Sequence, residues 1–240
     1  AMAGAALAEI AERWHAVIAE DGPGAIAPIW SAGNQSELAS GFGTRLFAAL
    51  GSNICATDDD GDPIVLYDHL ADRWFISQFA LTSPFHQCVA VSQTGDATGA
   101  YYVYDFVMPN NFANDYPHFG VWPDAYYMTD NQFNASLTAF TGAGVFAYDR
   151  SKMLVGDPTA TYIYFDQPAA LGIGGQLPSD LDGPPPPAGT GNIFAMFTAN
   201  EFGDPGGDGM RLWEFTPDFD TPANSTYTEI TTAAAPIPVL

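Results

Sequence analysis

The residues best suited to chemistry are carboxylates crowded into one short acidic segment. Four aspartates surround a glycine over positions 58–62. Alternating carboxylates can converge on a hard cation such as Ca²⁺, which takes about six to eight oxygen ligands. No glutamate follows at the offset that an EF-hand loop requires. The segment therefore predicts either a calcium-stabilised turn, with Asp58, Asp60 and Asp62 as ligands, or a solvated acidic loop.

Three carboxylates could form an acid and base set. Asp62, Asp115 and Asp180 each lie in a weakly repeated sequence pattern, called an echo below, in which a proline and an aspartate accompany a short apolar run. Two carboxylates that face one sugar linkage can hydrolyse it. If the echoes begin the inner strands of neighbouring sheets, the three side chains meet near an axis. The alternative is ordinary turn chemistry, for which Asp-Pro and Ser-Asp pairs are common. Glu214 is a weaker candidate acid, because Trp213-Glu214-Phe215 equally describes a strand with one polar face.

Aromatic residues are dense around the second echo, where Tyr116, Trp122 and Tyr126 are candidate ligand-binding residues. Tyr and Trp rings beside Asp and Asn are suited to stacking on sugar rings. The alternative is packing, because alternation along a strand places half of such rings in a core.

Several enzyme classes are disfavoured by missing motifs. The sequence contains no Gly-x-Ser-x-Gly elbow, no His-Glu-x-x-His and no phosphate-binding glycine loop after a strand. Cys55 and Cys88 are its two cysteines. An even pair in an exported domain favours a disulfide over a metal site, and two buried thiols are the alternative.

The elements that must position these residues are mostly strands. Residues 5–19 have helical spacing of apolar side chains and predict one amphipathic helix, so that 1–50 forms an N-terminal segment and 51–240 one β domain. From Cys55 onward, short β-branched and aromatic runs alternate with Gly, Pro, Asn and Asp, which is typical of an all-β protein. Strands are predicted at 64–67, 74–80, 88–92, 101–106, 119–122, 125–129, 144–148, 161–165, 193–198 and 210–216.

The charge of the chain limits its partners. Six Lys and Arg oppose 28 Asp and Glu, giving a formal net charge of −22. Nucleic acids and anionic membranes would be repelled, and no apolar run approaches the roughly 20 residues of a transmembrane helix. The composition is typical of an exported bacterial protein, and divalent cations are its natural counterions.

The motifs GDPIVLYD (61–68), ADRW (71–74), SQF (77–79) and GVWPDAYY (120–127) resemble a group of uncharacterised secreted bacterial β-propeller-like proteins. The resemblance runs from about position 42 to about position 226. It implies an all-β propeller architecture and no reaction. The chain length after the N-terminal segment, at about 45 residues for each blade, predicts about four to five blades in a ring that is complete or open at one edge, preceded by the short N-terminal helix.

Three functions follow as expectations. The first is an extracellular, calcium-stabilised propeller that binds a carbohydrate polymer or a protein. The second is a glycoside hydrolase with Asp62, Asp115 and Asp180 at the axis. The third is a structural subunit that associates through open sheet edges.

Overall fold

The computed structural model describes residues 60–81, 83–202 and 208–230. The predicted N-terminal helix at 5–19, Cys55 and Asp58 lie outside these residues. Within them the chain is all-β, as the sequence predicted. No helix in the described ranges is long and apolar enough to cross a membrane.

Twelve strands form three four-stranded sheets in the described residues. Sheet A contains β1 (Asp60–Asp68), β2 (Arg73–Ala80), β3 (His86–Ser92) and β4 (Tyr101–Val107). Sheet B contains β5 (Ala113–Val121), β6 (Ala125–Phe133), β7 (Phe140–Asp149) and β8 (Tyr162–Pro168). Sheet C contains β9 (Leu177–Pro178), β10 (Asn192–Thr198), β11 (Gly209–Thr216) and β12 (Thr226–Ile230). The short helix α1 (Arg150–Met153) follows β7, and 3₁₀ turns occur at Pro109–Asn111, Ala169–Leu171, Asn200–Phe202 and Pro222–Asn224.

Each sheet is an antiparallel meander in which strands pair in chain order. Four-stranded meanders that follow one another along the chain have the topology of propeller blades. Strand β1 packs beside β5, and β5 packs beside β9, so the first strand of every sheet lies on the inner side. Three blade-like sheets are therefore present in the described part, and the four to five blades expected from the sequence stay a prediction.

Two apolar layers join the sheets. Phe75, Val89, Phe119, Met128 and Phe146 belong to a cluster formed by side chains of sheets A and B. A second cluster joins sheet B to sheet C and is built from the residues Tyr127, Val145, Ile163, Phe194, Trp213 and Phe215. Burying side chains of this size supplies roughly 1.5–3 kcal/mol each before entropy is counted. Sheet B thus lies between the other two and is covered on both faces.

The inner strands β1 and β5 share a local distortion. The register of β1 against β2 shifts between Gly61 and Ile64, and that of β5 against β6 shifts between Asp115 and His118. In each case the residue before a proline has positive φ, 47° at Asp62 and 56° at Tyr116. Such bulges re-aim side chains at sheet ends. The internal echo in the sequence is therefore a repeated β-bulge.

A buried ion pair joins the end of β1 to helix α1, and β6 contributes a further hydrogen bond. Arg150 donates to both oxygens of Asp68, from Nε at 2.7 Å and from Nη2 at 3.0 Å. The hydroxyl of Tyr126 donates to the same carboxylate at 2.8 Å. This cluster connects sheets A and B at the end remote from the bulges.

Candidate functional site

Two of the predicted carboxylates come together at the bulges of β1 and β5. The backbone N–H of Tyr116 donates to the Asp62 carboxylate. Burial raises the pKa of Asp62, the charge of Asp115 raises it further, and the hydrogen bond from Tyr116 opposes both effects. Asp62 is half-buried and Asp115 is exposed. The pair consists of interacting carboxyl groups in different environments.

A third carboxyl group lies directly behind this pair. Asp130 is fully buried on β6, next to Asn131, which pairs with Asp115 in the sheet. Its Oδ1 accepts a hydrogen bond of 2.8 Å from the backbone N–H of Gly144. Burial raises the pKa of Asp130, to about 8, and the charge of Asp115 adds to this effect; hydrogen bonds from the N–H of Gly144 and the side chain of Gln132 oppose it. A neutral carboxylic acid therefore lies beneath the pair at neutral pH.

Tyr116 and His118 form the rim of the site. Tyr116 is 39% exposed, and its ring meets the ring of His118 edge to face, with centroids 4.3 Å apart. Nε2 of His118 is buried without a hydrogen-bond partner, and burial lowers the pKa of this residue. The rim thus presents an exposed aromatic ring, supported by a neutral imidazole, beside Asp115.

Hydrogen bonds tie sheet C to the same end of sheet B. The hydroxyl of Thr129 donates to the carbonyl of Gln176 at 2.6 Å, and Asn131 accepts from the N–H of Gly175 at 2.9 Å. The side-chain amide of Gln176 donates to the hydroxyl of Tyr227 at 2.8 Å. The segment before β9 is therefore fixed beside the site by polar contacts.

Asp180 does not join the pair. Its Oδ1 accepts a hydrogen bond of 2.7 Å from the N–H of Val121, the last residue of β5, whereas Asp115 is near the start of that strand. A rise of about 3.3 Å per residue separates the two positions by roughly 15–20 Å. The expectation that three carboxylates meet is therefore wrong for Asp180, because the third echo is out of phase with the first two.

The other predicted residues have structural surroundings. The Trp122 indole donates to the Thr190 carbonyl at 3.0 Å, at the Asp180 end of β5, and its ring packs on the second apolar cluster. Tyr126 is 1% exposed and bonded to Asp68, so it is a core residue and not a ligand contact. Glu214 is exposed between buried Trp213 and Phe215, as expected of a strand with one polar face.

The predicted calcium and disulfide sites fall largely outside the described residues. Asp58 and Cys55 lie in the undescribed part, and Asp60 is described only as the first residue of β1. Among described residues, no three His, Cys, Asp or Glu side chains cluster as a metal site. Cys88 is fully buried in β3. Calcium binding and the Cys55–Cys88 disulfide stay predictions.

Sequence reasoning missed Asp130, His118 and Gln176 as parts of this site. Asp130 lies in the polar run Thr129-Asp130-Asn131-Gln132, which reads as the end of a strand. A signal was present, since four polar residues extend a strand whose preceding residues are apolar. Only the pairing of β5 with β6 shows that this run lies beside Asp115.

Comparisons with known proteins give little similarity. No protein-family model matches the chain, and no curated protein matches it. Among solved structures, the chain is similar to a GH43 beta-1,3-galactosidase, with 14% sequence identity and a TM-score of 0.38. The match covers 72% of this chain and 33% of that one, so the chain spans about a third of the length of the galactosidase. The protein is all-β, with blade-like sheets and a carboxylate pair at the inner strands.

Proposed function

We propose that this protein is an exported glycoside hydrolase whose site is formed by the bulges of β1 and β5. The observation that carries the proposal is the coupling of Asp62 and Asp115, two carboxyl groups on adjacent inner strands. Glycosidases use one carboxyl group to protonate the leaving oxygen and another as base or nucleophile. Environments that differ between two carboxyl groups divide these roles.

Asp62 is the proton donor in this proposal. It is half-buried, and both its burial and the charge of Asp115 raise its pKa, which keeps it protonated to higher pH than an exposed aspartic acid. Asp115 is the exposed partner and acts as base or nucleophile. Either role requires an accessible carboxyl group, and Asp115 is exposed to solvent.

The surroundings favour a neutral glycan. Tyr116 offers an exposed ring next to Asp115, on which a sugar face can stack. The net charge of −22 repels uronic acids and sulfated sugars over most approaches. The proposed substrate is therefore an uncharged oligosaccharide or polysaccharide.

The test is hydrolysis of a panel of neutral oligosaccharides by the wild-type protein and by Asp62→Asn and Asp115→Asn. General acid–base groups typically contribute about 10²–10⁴-fold in rate, so each substitution is expected to lower kcat/KM by at least about 10²-fold. Asp220→Asn, an exposed aspartate before β12, is the matched control and is expected to retain activity. Thermal unfolding of each variant checks that the fold is kept.

Binding without hydrolysis would contradict this proposal. If calorimetry detects a glycan that no preparation cleaves, and both variants bind it as the wild type does, the protein is a binding module. The carboxylates at the bulges then have only the role of turn residues.

A further inference from the structure

We propose that Asp130 is a positioning residue of this site, a buried carboxylic acid that holds its proton on Oδ2 and so limits the negative charge in the neighbourhood of Asp115. This inference rests on the proposed function for its effect on activity. The claim that Asp130 is protonated and interacts with Asp115 does not depend on that function and is tested separately. Asp130 is not expected to touch the substrate, because its side chain is fully buried.

The geometry of Asp130 is that of a half-satisfied carboxyl group. Oδ1 accepts the backbone N–H of Gly144 at 2.8 Å, whereas Oδ2 is buried and has no hydrogen-bond partner. A buried carboxylate oxygen without a donor is costly, and a protonated oxygen at that position costs far less. The backbone N–H fixes which oxygen accepts, so the proton belongs on the other one.

The pocket around Asp130 is built for this side chain. Gly144 lies opposite Asp130 in the register of β6 and β7. A Cβ at Gly144 would collide with Oδ1 of Asp130 and with Nε2 of Gln132. The glycine therefore makes room for two polar side chains in an otherwise apolar layer.

Two amide side chains lie beside Asp130. Gln132 interacts with its carboxyl group and lowers its pKa. Oδ1 of Asn114 is buried without a partner, and Asn114 pairs with Gln132 across β5 and β6. Asn114 is held from sheet A, since its amide donates to Oε1 of Gln87 at 2.8 Å. These three polar residues form a buried group that ends at Asn114, the residue before Asp115.

The titratable groups that interact with Asp130 come from three strands. Asp115 on β5 raises its pKa, and Asp130 in turn raises the pKa values of Tyr148 on β7 and Tyr164 on β8. From sheet A, the side-chain oxygen of Gln87 and the backbone carbonyl of His86 accept hydrogen bonds from Asn114 in this group. No cation offsets a charge on Asp130 among these neighbours, so burial and Asp115 favour its neutral form against the hydrogen bonds from Gly144 and Gln132.

The consequence is a link between the charge on Asp130 and the carboxyl pair. When Asp130 loses its proton, a buried charge is added near Asp115, and the pKa values of the Asp62–Asp115 pair rise. A higher pKa keeps the proton donor Asp62 protonated to higher pH. Above the pKa of Asp130, about 8, the wild type is therefore expected to keep more of its activity than Asp130→Asn, which cannot ionise.

The direct test is ¹³C NMR of carboxyl groups in protein labelled at aspartate. One resonance is expected to titrate near pH 8 and to be absent from Asp130→Asn. In Asp115→Asn the same resonance is expected to titrate at a lower pH, because one like charge is removed. Asp220→Asn, the exposed control, is expected to leave it unchanged.

A resonance of Asp130 that titrates near pH 4, or one that Asp115→Asn does not move, overturns the inference. The NMR result does not depend on any substrate. If the proposed hydrolase function is wrong, the protein is inactive although the Asp130 resonance titrates near pH 8. If this inference is wrong, the protein is active although the Asp130 resonance titrates near pH 4. If Asp130→Asn does not fold, the comparison of wild type with Asp115→Asn still decides.

Discussion

Asp68 is the residue on which the junction of sheets A and B most depends. Its carboxylate accepts five hydrogen bonds, from two nitrogens of Arg150, the hydroxyl of Tyr126, and the backbone N–H groups of Leu70 and Ala71. The side chain has no exposed surface. Removing one partner of a buried pair leaves the other charge uncompensated, which costs about 3–5 kcal/mol.

Asp68→Ala is therefore expected to lower the free energy of unfolding by about 3–5 kcal/mol, measured by urea denaturation. Glu229→Gln is the control, since the Arg211–Glu229 pair has a similar distance of 2.8 Å but is partly exposed. Exposed pairs contribute about 0–1 kcal/mol. Equal losses in the two variants would show that burial of the Asp68 pair does not matter.

Ionisation of Asp130 is expected to make the free energy of unfolding fall as pH rises. Its pKa is about 8 in the folded protein against 3.8 as the ordinary value, so the folded state binds more protons between these limits. Stability from this group is complete below about pH 4 and is lost as pH rises towards 8. Asp130→Asn cannot ionise and escapes this loss.

Asp130→Asn is accordingly expected to match the wild type near pH 4 and to exceed it at pH 8 in thermal unfolding. A gain of 1 kcal/mol corresponds to roughly 2–4 °C for a chain of this size. A difference that is the same at both pH values would contradict a buried titrating Asp130. Wild-type and Asp220→Asn curves should coincide throughout.

Single residues were partly readable from the sequence. Asp62 and Asp115 were found because an aspartate followed by a proline one or two residues later, before an apolar run, occurs twice, and both copies form a β-bulge. Asp180 was misplaced because a proline and an aspartate also occur at its echo, but at the other end of the inner strand. Asp130 was missed because its importance depends on burial and on the register of β6.

At the scale of elements, the contact between β5 and the segment after β9 depends on a glycine. A Cβ at Gly120 would collide with the backbone carbonyl of Ser179, next to the hydrogen bond from Val121 to Asp180. A backbone atom cannot move aside as a flexible side chain can. The two inner strands therefore approach as closely as they do because position 120 is glycine.

Gly120→Ala is expected to lower the free energy of unfolding by about 1–3 kcal/mol, the usual cost of overpacking. Gly183→Ala, three residues after Asp180, has nothing within 4 Å of its new Cβ and serves as the control. The measurement is urea denaturation of both. A harmless Gly120→Ala would mean that sheets B and C are free to separate at this point.

Strands were the most predictable elements, because apolar and aromatic runs between turn residues specify them without tertiary information. All ten predicted strands overlap observed ones. Strands β9 and β12 were missed. The first is a two-residue strand containing Pro178, and the second has the sequence Thr-Tyr-Thr-Glu-Ile with polar residues on most positions. Pairing with β10 and β11 makes them strands.

At the scale of the whole molecule, the outer strands bear on association. Strands β4, β8 and β12 are the last strands of the three sheets in the described part of the chain. Strand edges favour pairing with another chain unless they are covered or charged. The predicted self-association is checked by light scattering across a dilution series, and a strict monomer would remove it.

Net charge governs how the whole molecule responds to ions. A charge of −22 repels itself in the compact state, so any salt is expected to raise the unfolding temperature by screening. Calcium is expected to do more if segment 58–62 binds it. At about 10 mM Ca²⁺ and a Kd of about 0.1 mM, binding to the folded state alone stabilises by about 2.7 kcal/mol.

The deciding comparison is thermal unfolding in CaCl₂, in NaCl of matched ionic strength, and in CaCl₂ with excess chelator. Calcium binding predicts a larger rise with CaCl₂ than with NaCl, loss of that difference with chelator, and its loss in Asp58→Asn. Equal rises with the two salts would mean that screening explains the whole effect. Segment 58–62 would then be a solvated acidic loop, and Asp62 would be left to the site that it shares with Asp115.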